Sequence, residues 1–391
     1  LYYPINTDMR FVMPNRQIRI GERSDAARSK VTALRAQFDE RPLVLTTPGS
    51  VNWITGGLSD PVDITATSDA AWAVETKIGR TLIASEIEAP RLQGDFDLDS
   101  LGWNVVSVPW FDASAPLRAA ASICGVTPDE LLSDSDAFGR NISPSIVRER
   151  MVLSEPEQAE LRSLGALAAR ALEAGIDGWQ PGETSDFEIA SVISRELERC
   201  GAKAVCLIVG GDDRLRSVRH PLSIGAVLHS AVMAVVVARR GGLHVAATRS
   251  AVTSADDPIL ELTEKLEPVH RAVLRSSLPG HGWGDAVEAL AKGYENIGQP
   301  GAWREHFQGG PIAFEQREFE LAPTQTDSPY WDLDCLADTA VAWNPSLRGG
   351  AKIEETYLVS NDGFELLTSS GAWATTANDG GMQHSQVKVV Q

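Results

Sequence analysis

The sequence predicts an α/β chain of the α+β kind: a small N-terminal α/β domain, then a larger domain of two pseudo-symmetric halves. Two observations carry this. Strand-like and helix-like segments alternate up to about residue 145. Beyond it, "VVVARRGGLHVAATRSAV" and "VAWNPSLRGGAKIEETYLV" resemble each other, each a strand, a turn containing Arg-Gly-Gly, and a strand, and each follows a pair of helices. The predicted organisation is an arm over 1–22, a first domain over 23–148, a second over 149–376 and a tail over 377–391.

Residues 1 to 22 read as irregular. Ser24 is placed to cap a helix through "DAARSKVTALRAQFDE", whose Val31, Leu34 and Phe38 fall on one stripe. "PLVLTT" is a buried strand ended by the turn "PGS"; "AWAVET", "GRTLIAS" and "WNVVSVPW" are further strands. A linker then leads into a long helix. Ser154 and Glu157 form its capping box, and Pro156 occupies the first turn, where its missing N–H costs nothing. Ser185 caps the next helix, "SDFEIASVISRELERCG", and "AVCLIVGG" is a buried strand. Two more helices, "DPILELTEKLEPVHRAVLRSSL" and "GWGDAVEALAKGYENIG", separate the hairpins. Between them and the second hairpin lies "HFQGGPIAFEQRE", His306 to Glu318. Its Gly309, Gly310 and Pro311 suit neither a helix nor a central strand, so the backbone there is held in a special shape, ringed by polar groups.

Composition narrows the function. Of the 391 residues, 43% are hydrophobic and 23% charged, which is enough material for a full core. No apolar run approaches the ~20 residues that span a bilayer, and the first residues lack the charged-then-apolar layout of a secretory signal. A membrane partner is therefore not expected. A net charge of −18 argues against a general nucleic-acid binder, which needs Lys and Arg to neutralise phosphates. Cys124, Cys200, Cys206 and Cys335 are scattered and form no Cys-x-x-Cys pair, which suits a reducing cytoplasm. The seven histidines include no His-x-x-x-His pair on a helix. No self-contained metal motif is present, and no cofactor is expected.

"GAKIEETYLVSNDGFELLT" resembles, nearly position by position, the closing strands "G-x-R-I-E-D-T-x-L-V-T-x-x-G-x-E-x-L-T" of the pita-bread family. That family includes creatinase, prolidase, aminopeptidase P and methionine aminopeptidase. Its "H-G-T-G-H-G-I-G-L-x-x-H-E" lies without gaps on "HFQGGPIAFEQRE", and "SVRHPLS" is similar to its central "P-x-x-P-H" segment. "RHPLS", "RRGGL", "HFQGGPIAFEQRE" and "WNPS" are also similar to a subgroup of aminopeptidase-P-like sequences. The resemblance covers roughly residues 25 to 375. It implies a creatinase-like N-terminal domain ahead of a duplicated pita-bread catalytic domain, and a homodimer.

The family's metalloenzymes hold two metal ions with two Asp, one His and two Glu. Carried over, these positions fall on Val235, Ala246, Gly310, Asn344 and Glu354. The resemblance thus implies a member deficient in metal ligands, with no metal site. Creatinase needs no metal and keeps a His in the central loop and a Glu on the last strand; the matching residues are His220 and Glu354. This implies that His220 is the general acid/base and that Glu354 orients substrate or water. Creatinase's other carboxylate matches Thr248, which argues against a cationic guanidinium substrate.

Arginines stand nearby instead. Arg219, Arg240, Arg249 and Arg317 lie in segments expected to face the centre, with Arg317 at the family's second-His position. Arg grips carboxylate or phosphate bidentately, so a small anionic substrate is expected. The alternative is that these Arg pair with structural acids such as Asp212, Asp213 or Glu318. Lys352 and Glu354, two apart, share a strand face, with Glu355 opposite. A carboxylate beside an ammonium stays ionised. Glu318 is a second candidate acid, and Gln308 and Asn344 offer neutral hydrogen bonds. The expected function is that of a metal-independent, creatinase-like hydrolase acting on a C–N bond of a small anionic molecule. The alternatives are a non-catalytic ligand- or protein-binding domain, a lyase or isomerase using the same His, and, under a different ligand assignment, a metal-dependent Xaa-Pro-type aminopeptidase.

Overall fold

The computed structural model describes residues 16–58 and 62–390. The first domain runs α1 (Arg16–Ala36), β1 (Leu43–Leu45), α2 (Pro48–Thr55), β2 (Ala71–Glu75), β3 (Arg80–Ser85), α3 (Ala89–Asp95), β4 (Trp103–Val108), α4 (Ala115–Cys124), β5 (Leu132–Ser133), β6 (Arg140–Asn141) and α5 (Ser143–Met151). Its sheet has the order β4-β3-β2-β1-β5-β6, with β1 antiparallel to β2 and parallel to β5. Val31 and Leu34 of α1 pack into one core with Leu43, Leu45 and Trp53. One expectation is corrected. Residues 16–22 are the first turns of α1 rather than part of an irregular arm, so Ser24 is inside the helix and not its cap. Its hydroxyl instead donates to the Ile54 carbonyl at 2.9 Å. The rest of the expected arm, 1–15, lies outside the described residues.

The second domain continues with α6 (Glu155–Asp177), α7 (Asp186–Glu198), β7 (Lys203–Gly211), α8 (Asp212–Ser217), β8 (Ala231–Arg240), β9 (Leu243–Val252), α9 (Pro258–Arg275) and α10 (Trp283–Asn296). It closes with β10 (Gly309–Pro311), β11 (Ala340–Trp343), β12 (Ser346–Leu347), β13 (Ala351–Lys352), β14 (Tyr357–Val359), β15 (Phe364–Leu366) and β16 (Lys388–Val389). The predicted capping boxes form: Glu157 accepts from the Ser154 N–H and hydroxyl, both at 2.7 Å, and Glu188 does the same for Ser185.

Two four-stranded sheets result, ordered β16-β9-β8-β7 and β10-β11-β14-β15. Helix α6 covers the first, packing Leu161, Leu164 and Leu172 into the core that holds Val232 and Val236. Helices α9 and α10 cover the second, packing Leu266, Val269 and Leu290 with Val341, Tyr357 and Val359. These are the two pseudo-symmetric halves. The residues read as a tail contribute to them, since β16 pairs in parallel with β9.

The two hairpins differ where it matters. The first is unbroken, with β8 and β9 paired from Ala231↔Val252 to Arg240↔Leu243. The second is interrupted. Pro345 has no N–H to give a ladder, so β11 pairs with β14 while β12 and β13 form a separate two-stranded ribbon. Gly309–Pro311 forms a short edge strand beside β11, the position a Pro-containing strand tolerates. The Gly241-Gly242 turn of the first hairpin meets the N-terminal domain. A Cβ at Gly242 would stand 2.5 Å from Asn52, and Arg23 donates to the Gly241 carbonyl at 2.7 Å. No helix among the described residues is long and apolar enough to cross a membrane.

Candidate active site

The interruption of the second hairpin opens a cleft. Its walls are the loop leaving α8, the His306–Phe307 segment ahead of β10, and the β12–β13 ribbon, closed by Gly349 and Gly350 at φ 101° and 104°. The space is about 640 Å³, its open mouth included. Among the described residues, the charged side chains lining it are Arg216, Arg219, Arg317, Arg348 and Lys352, joined by His220 and His306, with no carboxylate.

Carboxylates stand behind these cations. Arg216 pairs with Asp257 at 2.5 Å, and Arg219 and Arg348 share Glu305. Arg317 pairs with Glu320 and lies over the Phe307 ring, 4.4 Å from its centroid. Lys352 pairs with Glu354 at 2.9 Å. Buried Glu354 also accepts from the Thr248 hydroxyl at 2.7 Å and from Asn344 Nδ2 at 3.3 Å. Burial works to raise its pKa, but the Lys352 ammonium and these hydrogen bonds outweigh it and hold the carboxyl below its ordinary value.

His220 stands exposed at the mouth. Partial burial, then the charges of Lys352 and Arg317, push its pKa down against the opposing pull of Glu354. A neutral imidazole there is able to accept a proton. His306 is buried further and pushed down to about 4, by burial first and then by Lys352, Arg219 and His220, against the Phe307 carbonyl. The His306 Nδ1 lies 2.6 Å from the Phe307 oxygen, and its Nε2 lies 2.6 Å from Ser346 Oγ.

Of the expected site residues, Arg219, His220, Arg317, Asn344 and Lys352 line the cleft, and Glu354 sits behind it, bonded to Asn344 and Lys352. Four others do not converge there. Arg240 ends β8, seven residues and roughly 23 Å beyond the cleft-lining Met233, and binds Glu160 and Ser163 of α6. Arg249 follows Thr248, so strand alternation turns it away from Glu354. It is 1% exposed and binds Glu355 at 2.9 Å and the Thr368 carbonyl at 2.6 Å. Glu318 is spent on Arg150 and on the Phe314 and Glu315 N–H groups. Gln308 accepts from Tyr294 and donates to the Trp303 and His306 carbonyls, so its amide supports the cleft wall from behind. Asp212, weighed as an Arg partner, instead accepts from the His229, Ser230 and Ala231 N–H groups.

Sequence reasoning missed Arg216, Arg348, His306 and Ser346 as lining residues. A signal existed for Arg348, which sits in the Arg-Gly-Gly turn. For the His306–Ser346 contact, across 40 residues, there was none.

The five positions that match the family's metal ligands do not supply a two-metal site. Val235 and Ala246 are buried apolar side chains on one face of the first hairpin, Gly310 has no side chain, and Asn344 is an amide. Only Glu354 presents a carboxylate, already held by Lys352 and Thr248. Among the described residues, no group of three or more His, Cys, Asp or Glu gathers as a ligand cluster. Two divalent ions need several hard or imidazole donors converging, and this set does not fit them.

A small α/β domain ahead of two paired helix-and-sheet halves, with a cleft beside the second hairpin, is the pita-bread fold of the creatinase, prolidase and aminopeptidase P group. The dipeptidase PepE from Mycobacterium ulcerans superposes with a TM-score of 0.71 at 17% identity, over 96% of this chain and 99% of that one. The prolidase from Pyrococcus horikoshii OT3 superposes with a TM-score of 0.68 at 15% identity, over 88% and 98%. The N-terminal domain of FACT complex subunit SPT16 from Cicer arietinum (chickpea) has the same fold, with a TM-score of 0.63 at 14% identity over 91% and 97%. No protein-family model matches the sequence, and neither does any curated protein.

Proposed function

We propose that this chain is a metal-independent hydrolase of pita-bread fold that cleaves a C–N bond in a small anionic substrate. The observation that carries the reading is the cleft, whose charged lining is wholly cationic in a chain of net charge −18. A cationic concavity concentrates anions, and guanidinium groups grip carboxylate or phosphate through paired hydrogen bonds. Arg317 and Arg219 receive the anionic group. His220, neutral at the mouth, accepts and returns a proton. Glu354 orients Lys352 and Asn344 toward the substrate from behind. Metal independence is supported by the donor set at the five ligand positions. The prolidase and dipeptidase of like fold make hydrolysis of an amide-type bond the favoured chemistry.

The test is calorimetric binding of inorganic phosphate and succinate with chelator present, together with hydrolysis of a panel of N-acyl amino acids. Wild type binds at least one of the two anions, and R317A weakens that binding about tenfold, or about 1.4 kcal/mol. Absence of binding by wild type at millimolar anion rejects the reading.

A second reading, a ligand-binding domain without chemistry, is favoured by one observation. Both Glu354 oxygens are already engaged, which makes it a poor base. The SPT16 domain shows the same fold in a FACT complex subunit. Anion binding without turnover of any amide in the panel selects this second reading.

A further inference from the structure

We propose that Ser346 is a covalent nucleophile with His306 as its general base, so that the cleft cleaves amides through an acyl-enzyme. The inference rests on the hydrolase reading for the substrate class and moves the proton-transfer role given there to His220 onto His306.

Three contacts define the arrangement. The Ser346 Oγ lies 2.6 Å from His306 Nε2, the distance of a strong hydrogen bond. The opposite ring nitrogen, Nδ1, lies 2.6 Å from the Phe307 carbonyl oxygen, which can only accept. That fixes the tautomer: Nδ1 carries the proton, and Nε2 presents a lone pair to the serine hydroxyl. Nucleophile, base and a third group that orients the base form the signature of an activated hydroxyl. Arg219 Nη1 donates to the same Oγ at 2.9 Å, and its positive charge stabilises the alkoxide character that develops as the proton leaves.

The surroundings hold this geometry. Ser346 is 6% exposed yet lines the cleft, and so does His306. Gln308 donates to the His306 carbonyl at 3.1 Å, and the Ser346 N–H donates to the Tyr294 hydroxyl at 2.9 Å. Both the base and the nucleophile therefore sit on backbone pinned from behind. Lys352 is paired directly opposite Ser346 across the β12–β13 ribbon. Residues so placed have Cβ atoms about 5 Å apart, so the Lys352 side chain starts beside the nucleophile; its ammonium is held by Glu354 at 2.9 Å, and its charge reaches His306.

The step balances without a metal or co-reactant other than water. As Oγ bonds to the acyl carbon, its proton passes to His306 Nε2 and the carbonyl π electrons move onto oxygen, facing Lys352. Collapse of that oxyanion breaks the C–N bond, and the leaving nitrogen takes the proton back from His306. Water then attacks the Ser346 ester, giving one proton to Nε2. That proton returns to Oγ as the carboxylic acid leaves. The anionic group elsewhere on the substrate sits on Arg317.

The test is mass-spectrometric mapping of the intact protein after treatment with a phosphonofluoridate and, separately, with a sulfonyl fluoride. Wild type gains one adduct, on the peptide containing Ser346. The rate falls at least about 100-fold in H306Q, the size of a general-base contribution. It also falls as the pH drops toward about 4, where His306 becomes protonated. S346C, which keeps the side chain's shape, loses the phosphonofluoridate adduct and reacts with iodoacetamide faster than the native cysteines. No adduct at Ser346 with either reagent, or a rate unchanged in H306Q, overturns the proposal. Phosphate binding by unlabelled wild type, measured in parallel, separates the two readings. Labelling of Ser346 without phosphate binding removes the anionic substrate alone, and phosphate binding without labelling removes the nucleophile alone.

Discussion

The Lys352 ammonium stands 2.9 Å from the Glu354 carboxylate, two residues along the chain, and this pair joins the cleft lining to the buried floor behind it. Glu354 is 5% exposed and holds its charge against desolvation only with help from Lys352, Thr248 and Asn344. Removing one partner of a buried ion pair leaves the other uncompensated, at a cost of about 3–5 kcal/mol. K352M should therefore destabilise the fold by that order in urea, and K352M/E354Q should recover most of the loss. The sign with pH follows from the depressed carboxyl. Its contribution is complete above the ordinary Glu pKa near 4.5 and is lost as pH falls through the lower folded value. A double variant as unstable as K352M would show that the pair's charge is not what matters.

Arg249 and Arg317 should behave as opposites. Arg249 is fully buried and held by Glu355 and two backbone carbonyls, so R249A leaves the Glu355 carboxylate without its cation and costs several kcal/mol. Arg317 is half-exposed, and its Glu320 pair is worth no more than about 1 kcal/mol. R317A should thus leave the melting temperature nearly unchanged while weakening anion binding. Equal melting temperatures for the two variants would contradict the assignment of Arg249 to the core.

Much of this contrast was legible in the sequence, but only locally. Helix starts at Ser154 and Ser185, the Gly-Gly turns and the hairpins follow from rules that act within a few residues. Alternation placed Lys352 and Glu354 together with Glu355 opposite, and the structure has Glu355 on Arg249 and Thr368. The same alternation, applied to Thr248, would have turned Arg249 away from the centre. The fate of Arg240 was not readable, because it depends on which end of a ten-residue strand the cleft occupies. Nor was α1's start at Arg16, since Ser24, a cap-type residue just ahead of the apolar stripe at Val31 and Leu34, offered a later start. The His306–Ser346 contact requires Pro345 to break the second hairpin and β10 to lie beside β11, which is tertiary information.

Acid should unfold this protein through its buried imidazoles as well as its carboxylates. His244 is pushed down to about 3 and His306 to about 4, chiefly by burial, and His270 lies well below its ordinary value. Between about pH 6.5 and those values, the unfolded chain binds protons that the folded chain refuses. Stability therefore rises with pH across that window, by roughly 1.4 kcal/mol per pH unit for each such group. It is complete above pH 6.5 and lost below. H270F fills the same space between the Tyr357 and His384 rings without a titrating nitrogen, and should flatten the slope by one proton's worth. Urea unfolding at several pH values measures this, and an unchanged slope in H270F would mean that His270 titrates normally in the fold.

Metal should be without effect on the folded state. Val235, Ala246 and Gly310 offer no donor, and Asn344 offers only an amide beside one carboxylate that Lys352 already neutralises. An ion entering there would have to displace the Lys352 ammonium from Glu354 and repel the cations of the cleft lining. A site saturated at a hundred times its dissociation constant adds about 2.7 kcal/mol to stability, a shift that thermal unfolding resolves easily. Manganese, cobalt or zinc at millimolar concentration should raise the melting temperature no more than magnesium does, and a chelator should not lower it. Placing Asp at 235 and 246, His at 310 and Glu at 344 together supplies the missing donors, and that quadruple variant, if folded, should gain a metal-dependent rise. A rise in wild type, abolished by E354Q, would show that the cleft binds an ion through donors outside the five positions.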